Sequence, residues 1–288
     1  MRRLFLAAAM LTALLIPATS AGAAPTGEYA NFAKCPLSAP NLDACFYSVS
    51  YNGSVTTGNK TVPVKNPQVL QGGLDYLAGD VTGPLAFIGA SNGDTLTKTP
   101  QVVPGGLLGV TAPTWWPNWL EDLFNDTIND GFTGVTATVE LAGPPSAIKL
   151  SAFAALVQQG TALEMPVKIK LGNPFLGNNC YIGSNSNPIV WKFTTGTTAP
   201  PAPNQPISGF SGIPEQNEEG TILRIKGAKL VDNSFATPGA NGCGGLFSFL
   251  IDPFVNSVVG VPSPAGTNTA ILENNIEFGD PAAVKASE

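Results

Sequence analysis

One catalytic spacing in the chain can work without histidine. In Ser146-Ala147-Ile148-Lys149 a helical turn brings the lysine amine to the serine hydroxyl, where it can accept the proton of a nucleophilic serine. Its usual companions are missing: there is no Ser-Asp-Asn, and the only Lys-Thr is Lys98-Thr99-Pro100 rather than Lys-Thr-Gly. A serine-rich chain produces such a tetrapeptide by accident, so the plainer reading is the end of a strand or helix after Pro144-Pro145. Gly89-Ala90-Ser91-Asn92-Gly93 matches G-x-S-x-G, but that motif needs a strained strand-to-helix turn and a histidine. The chain contains 0 His, and the flanking residues read as a hairpin, so a polar turn is predicted. The lack of histidine also removes the usual general base near neutral pH and the commonest ligand of catalytic zinc, copper and iron.

Asp122, Asp126 and Asp130 stand at i, i+4 and i+8, which lines three carboxylates along one side of a helix. A hard cation such as Ca²⁺ takes oxygen ligands, yet Thr127 and Ile128 interrupt the loop pattern it favours, so a solvated helix face is the simpler expectation. Glu140, Glu164 and Glu273 lie in or beside predicted strands, and glycoside hydrolysis needs only two such acids close in space. Trp115, Trp116 and Trp119 offer either an aromatic platform for sugar rings or an apolar contact, against core packing as the default. No cofactor is predicted.

The elements that position these groups are mostly strands. Cys45–Tyr51 is followed by Asn52-Gly53, a hairpin signal, and then by Ser54–Thr57. Strands are also expected at 84–88, 94–97, 134–141, 165–171, 189–195, 221–226, 229–235 and 269–278. In the 165–171 segment Val167, Ile169 and Leu171 alternate with Lys168 and Lys170, which implies a sheet with one wet face. Trp116, Trp119, Leu120, Leu123, Phe124 and Ile128 recur at helical spacing and predict one amphipathic helix over Trp115–Asp130, with Thr114 as cap and Gly131 as stop. Its apolar side is expected to pack on the sheet. Gly245–Val259 reads as short helical turns broken at Pro253, and 197–220, with five prolines, as a loop or linker. Thr136–Glu140 and Thr269–Glu273 look alike together with the segments before them, but two loosely matched copies do not establish a repeat.

Charged residues make up 12% of the chain, against about a quarter in ordinary domains. Together with abundant Gly, Pro, Thr, Ser and Asn this favours a turn-rich β protein. Arg2 and Arg3, the 13-residue apolar run Leu4–Ile16 and Ala21-Gly22-Ala23 read as a secretory signal peptide over 1–23. The run is short of the roughly 20 residues needed to span a bilayer, and no transmembrane segment is predicted in the mature chain. Removing Arg2 and Arg3 leaves 12 Lys+Arg against 20 Asp+Glu, a charge of −8 with no basic stripe, so nucleic acid is excluded as a partner. Residues 24–288 are expected to form a single secreted β-rich domain, with a possible subdivision near 143–163. All four cysteines, Cys35, Cys45, Cys180 and Cys243, lie in the exported part, where two disulfides are the natural reading. Three pairings are open, and locality favours Cys35 with Cys45 and Cys180 with Cys243.

Leu171-Gly172-Asn173-Pro174-Phe175-Leu176-Gly177-Asn178-Asn179-Cys180-Tyr181-Ile182-Gly183-Ser184 is similar to a recurring block in a family of uncharacterised secreted bacterial proteins. Leu230–Ala236, followed by Pro238–Gly244, resembles the same family's second block. The likeness runs from about Glu164 to the C-terminus. It brings no catalytic or binding residue, but one cysteine in each block supports pairing Cys180 with Cys243. The expectation is therefore a mainly β protein, an antiparallel sandwich or distorted barrel with one prominent amphipathic helix. Its expected role is a non-enzymatic one outside the cell or at the cell envelope, with an envelope component or polysaccharide as partner. The rivals are a carbohydrate-binding module and a histidine-independent hydrolase.

Overall fold

The computed structural model describes residues 23–76, 85–109, 112–113, 115–129 and 133–288. The expected signal peptide, apart from Ala23, lies outside these residues, as do Thr114, Asp130 and Gly131. The fold is mainly β, and among the described residues 14 strands join into one antiparallel sheet. They are β1 (Ala44–Thr57), β2 (Lys60–Pro63), β3 (Gln68–Tyr76), β4 (Leu85–Gly89), β5 (Gln101–Val102), β6 (Thr136–Leu141) and β7 (Lys149–Leu150), then β8 (Leu163–Gly172), β9 (Tyr181–Ile182), β10 (Ile189–Phe193), β11 (Ile213–Gln216), β12 (Ile222–Asp232), β13 (Ala240–Asn241) and β14 (Thr269–Gly279). Four helices accompany them: α1 (Asn118–Asn129), α2 (Ala152–Val157), α3 (Ser248–Val259) and α4 (Pro281–Ala286).

The main ladder runs β11-β12-β14-β1-β3-β4-β7-β8-β6-β5. β8 alternates strictly between buried and half-buried positions, as its Val/Lys pattern requires. It is wide enough in register to take β7 and β6 on one edge and β10 and β9 on the other. The ladder is not closed, but Thr194, just past β10, exchanges two 2.9 Å backbone hydrogen bonds with Val231 of β12. The sheet therefore curls until its two sides meet at one bridge. Beside that bridge Asp232, 2% exposed, accepts the Lys192 N–H at 2.6 Å and the Ser234 N–H at 2.9 Å. Phe46, packed edge-on against Phe87 and Phe278, and Trp191, packed against Phe193 and Phe235, fill the enclosed core.

The disulfides are Cys35–Cys45 and Cys180–Cys243. The first ties the N-terminal segment to β1. The second reinforces the short ladder in which Ala240 and Asn241 face Ile182 and Tyr181.

Three local expectations change. Asn52-Gly53 is not a turn: β1 continues through it with an irregularity between Ser50 and Asn52, and the hairpin closes at Gly58-Asn59, between paired Thr57 and Lys60. Gly53, at φ 123°, lies so close to the Ile271 carbonyl of β14 that a Cβ would collide with it. That position needs glycine for close approach, not for reversal. Pro253 does not break α3, because a proline six residues into a helix removes one intrahelical bond while Val255 stays buried on the core. The proline-rich segment 197–220 is not a free linker. It bridges Thr197 to Ser208 and Phe210 to Lys229, and Asn204 donates to the Asn233 and Asn268 carbonyls at 2.9 Å.

The two look-alike segments share their order of elements. A two-residue strand, a Gly-Gly pair, one 3₁₀ turn, a 12-residue helix and a further strand, of 6 and 11 residues respectively, recur as β5–α1–β6 and β13–α3–β14. Gly105-Gly106 and Gly244-Gly245 all have positive φ, which opens the 3₁₀ turn in each copy.

Candidate functional site

The strands that curl around the core leave a cavity of about 430 Å³ at one end of the fold. That end is formed by the start of β1, the end of β3, the start of β4, the start of β12 and the end of β14. The inner wall is apolar, with Phe46, Leu70, Leu163, Leu230, Ile276 and Phe278 projecting from five strands. Space remains because four inward positions in the wall carry small side chains, Ala44, Ser48, Ala162 and Ala228. Deeper in, Met165, Val167 and Trp191 occupy inward positions and the core closes.

α2 lies over the cavity and contributes Ala152, Ala155 and Leu156 to its lining. Its placement is fixed by polar contacts. Ser151 Oγ caps the helix by accepting the Ala154 N–H, Thr195 Oγ1 donates to the Ala155 carbonyl at 2.6 Å, and Gln158 Nε2 donates to Ser211 Oγ at 3.1 Å. Leu156, Pro214 and Gly220 are exposed liners, so the cavity opens where α2 faces β11. Polar groups gather at this opening. Asp43 Oδ2 accepts the Tyr76 N–H at 2.6 Å, and Asp280 Oδ1 accepts the Ala283 N–H at the start of α4 at 2.9 Å. Burial, and next the nearby Asp43 charge, hold the Tyr76 phenol above its ordinary range, so it stays a neutral donor. A volume of this size falls within the roughly 300–1,000 Å³ of small-molecule sites.

The residues singled out by sequence are not brought together. Ser146 sits in a 3₁₀ turn over Pro145–Ala147, while the Lys149 ammonium reaches Glu164 Oε1 at 2.6 Å instead of the serine. Strand pairing is the reason: Lys149 faces Glu164 across β7 and β8, and no helical turn joins it to Ser146. The Ser–Lys contact required for S-x-x-K chemistry is therefore absent. Ser91 lies exposed in a turn between β4 and the strand-like residues that follow it.

No two of the three glutamates meet. Glu140 faces Lys168, Glu164 faces Lys149 and Lys192, and Glu273 accepts from Asn52. Asp122 and Asp126 are exposed on α1, and among the described residues no group of three or more ligating side chains gathers.

The Trp stripe also departs from expectation. α1 begins only after Pro117, whose carbonyl accepts the Leu120 and Glu121 N–H groups, so Trp115 and Trp116 precede the helix. Trp115 is 80% and Trp119 68% exposed, so these two rings are not packed into the core. Trp116 stands edge-on to Trp115 at 89° and to Phe124 at 88°. The aromatic residues thus pack partly on one another, and Trp115 and Trp116 form no coplanar platform. A second apolar shoulder, Leu246, Phe247, Phe249 and Leu250, is exposed where α3 begins.

Among the described residues no helix is long and apolar enough to cross a membrane. Comparisons with protein-family models, curated proteins and solved structures give no match to this chain.

Proposed function

We propose that this chain binds a small apolar molecule inside its curled sheet and works as a non-enzymatic binding protein outside the cytoplasm. The cavity carries this reading. A mostly apolar cavity of about 430 Å³ that opens to solvent leaves its lining side chains without packing partners on one side. Water entering by the mouth finds few hydrogen-bonding partners on such walls. A ligand that covers Phe46, Leu70, Leu230 and Phe278 recovers the missing contacts. Two disulfides support an extracytoplasmic setting, in line with export directed by residues 1–23 and with the likeness to secreted bacterial proteins.

Titration with decanol tests the proposal. One-to-one binding and a rise in Tm with ligand concentration are expected. If decanol produces neither binding heat nor a Tm shift, the cavity is not a binding site. The exposure of Trp115 and Trp119 favours a second reading, attachment to an envelope polysaccharide along α1. Trp119→Ala should then reduce retention on insoluble polysaccharide while leaving decanol binding intact.

A further inference from the structure

We infer that the cavity selects an apolar ligand whose polar end is uncharged or cationic, and discriminates against carboxylates such as fatty acids. The inference rests on the binding proposal above and adds the chemical class of the ligand. Among the described residues lining the cavity, the only charged side chains are Asp43 and Asp280, both at the open end, and neither Lys nor Arg is present. Each aspartate spends one carboxylate oxygen on a backbone N–H, from Tyr76 and from Ala283, leaving the other oxygen directed to no side chain among the described residues.

Of the three basic residues of the adjoining β12, Lys229 is not among the residues lining the cavity, and Arg224 and Lys226 are held in ion pairs. Arg224 pairs with Glu28 at 3.1 Å and Glu277 at 3.7 Å, and Lys226 pairs with Glu215 at 2.5 Å. A ligand with its tail against Phe46 and Leu230 places its head among Ser151, Ser211 and the two carboxylates, the Thr221 hydroxyl being already bonded to Tyr29 and Asn217. An alcohol or carbonyl head finds hydroxyl partners there, and an ammonium finds two anions. A carboxylate meets like charge with no cation to offset its loss of water.

Three probes of one chain length, decanol, decylamine and decanoate, separate the outcomes at neutral pH and low salt. Decanol and decylamine should bind, with decanoate about tenfold weaker than decanol, a gap that narrows as salt screens the exposed carboxylates. Asp43→Asn with Asp280→Asn should bring the decanoate-to-decanol affinity ratio towards one. The amide oxygens can still accept the two backbone N–H bonds, and if the double variant is poorly folded, each single variant and the salt series give the same readout. Decanoate binding as tightly as decanol to the unaltered protein overturns the selectivity and leaves the cavity reading standing. Failure of all three probes overturns the cavity reading and this inference with it.

Discussion

Ala228→Leu distinguishes a cavity from a close-packed core by the sign of its effect. Ala228 is 1% exposed, belongs to the inner wall at the irregular segment of β12 and faces the open volume. In a filled core, three extra carbons force side chains off their rotamers and cost about 1–3 kcal/mol. Facing 430 Å³ of apolar space, the same carbons bury without displacing a neighbour and contribute about 0.8 kcal/mol each, or about 2 kcal/mol in all. For a domain of this size that corresponds to a rise in Tm of roughly 4–8 °C. The decanol affinity of the variant should fall, because the leucine occupies space the ligand needs. Ala270→Leu is the control: Ala270 is 0% exposed in the same core but is not among the residues lining this cavity, so it should lose stability. Calorimetric scans of both variants with and without decanol supply the measurement. A lower Tm for Ala228→Leu, comparable to the loss in Ala270→Leu, would refute the claim that the space is open.

The disulfides should differ in importance. With sequence separations of 63 and 10, the chain-entropy relation assigns about 4 kcal/mol to Cys180–Cys243 and about 2.7 kcal/mol to Cys35–Cys45; paired Cys→Ala variants under urea denaturation should rank in that order. Burial raises the Asp232 carboxyl above its ordinary range, against the opposing pull of the Lys192 and Ser234 N–H groups. A raised folded-state value means that this carboxyl contributes stability below the usual carboxylate range and loses it as pH rises through the folded value. The stability difference between the unaltered protein and Asp232→Asn should therefore fall across that window; a difference flat in pH would contradict it. Near neutrality Asp232→Asn should still cost about 1–3 kcal/mol, because one amide oxygen cannot serve both N–H donors beside the Thr194–Val231 bridge.

Much of the sheet is legible in the sequence, because alternation is a local property. Val167, Ile169 and Leu171 set against Lys168 and Lys170 fix the faces of β8 before any partner strand is known. Cysteine spacing likewise points to both disulfides. Local signals mislead where two mechanisms use the same residue. A glycine after asparagine marks a hairpin or a close backbone approach, and only the presence of β14 beside Gly53 decides between them. Helical periodicity finds α1 but not its surroundings, so it predicts burial for Trp119, which stays exposed. The Asp232 clasp is hidden for a related reason: an acid at a strand end reads as surface until β10 is brought against it.

The binding site is harder to read because a cavity is a difference of volumes, contributed by residues far apart in the chain. Ala44, Ser48 and Ala228 each satisfy the inward pattern of their strand, and Ala162 stands just before β8, since pattern distinguishes apolar or small from polar but not small from large. Their common effect appears only when β1, β8 and β12 face one another across the curl. A sequence signal does exist, though it is comparative. The inward positions of β8 beyond Leu163 are Met165, Val167, Ile169 and Leu171, whereas the cavity wall holds Ala44 and Ser48 on β1 and Ala228 on β12. Small inward residues on facing strands at once predict open space between them, and on the selectivity proposed above the charge of the residues bordering its mouth sets the sign of the ligand head it admits.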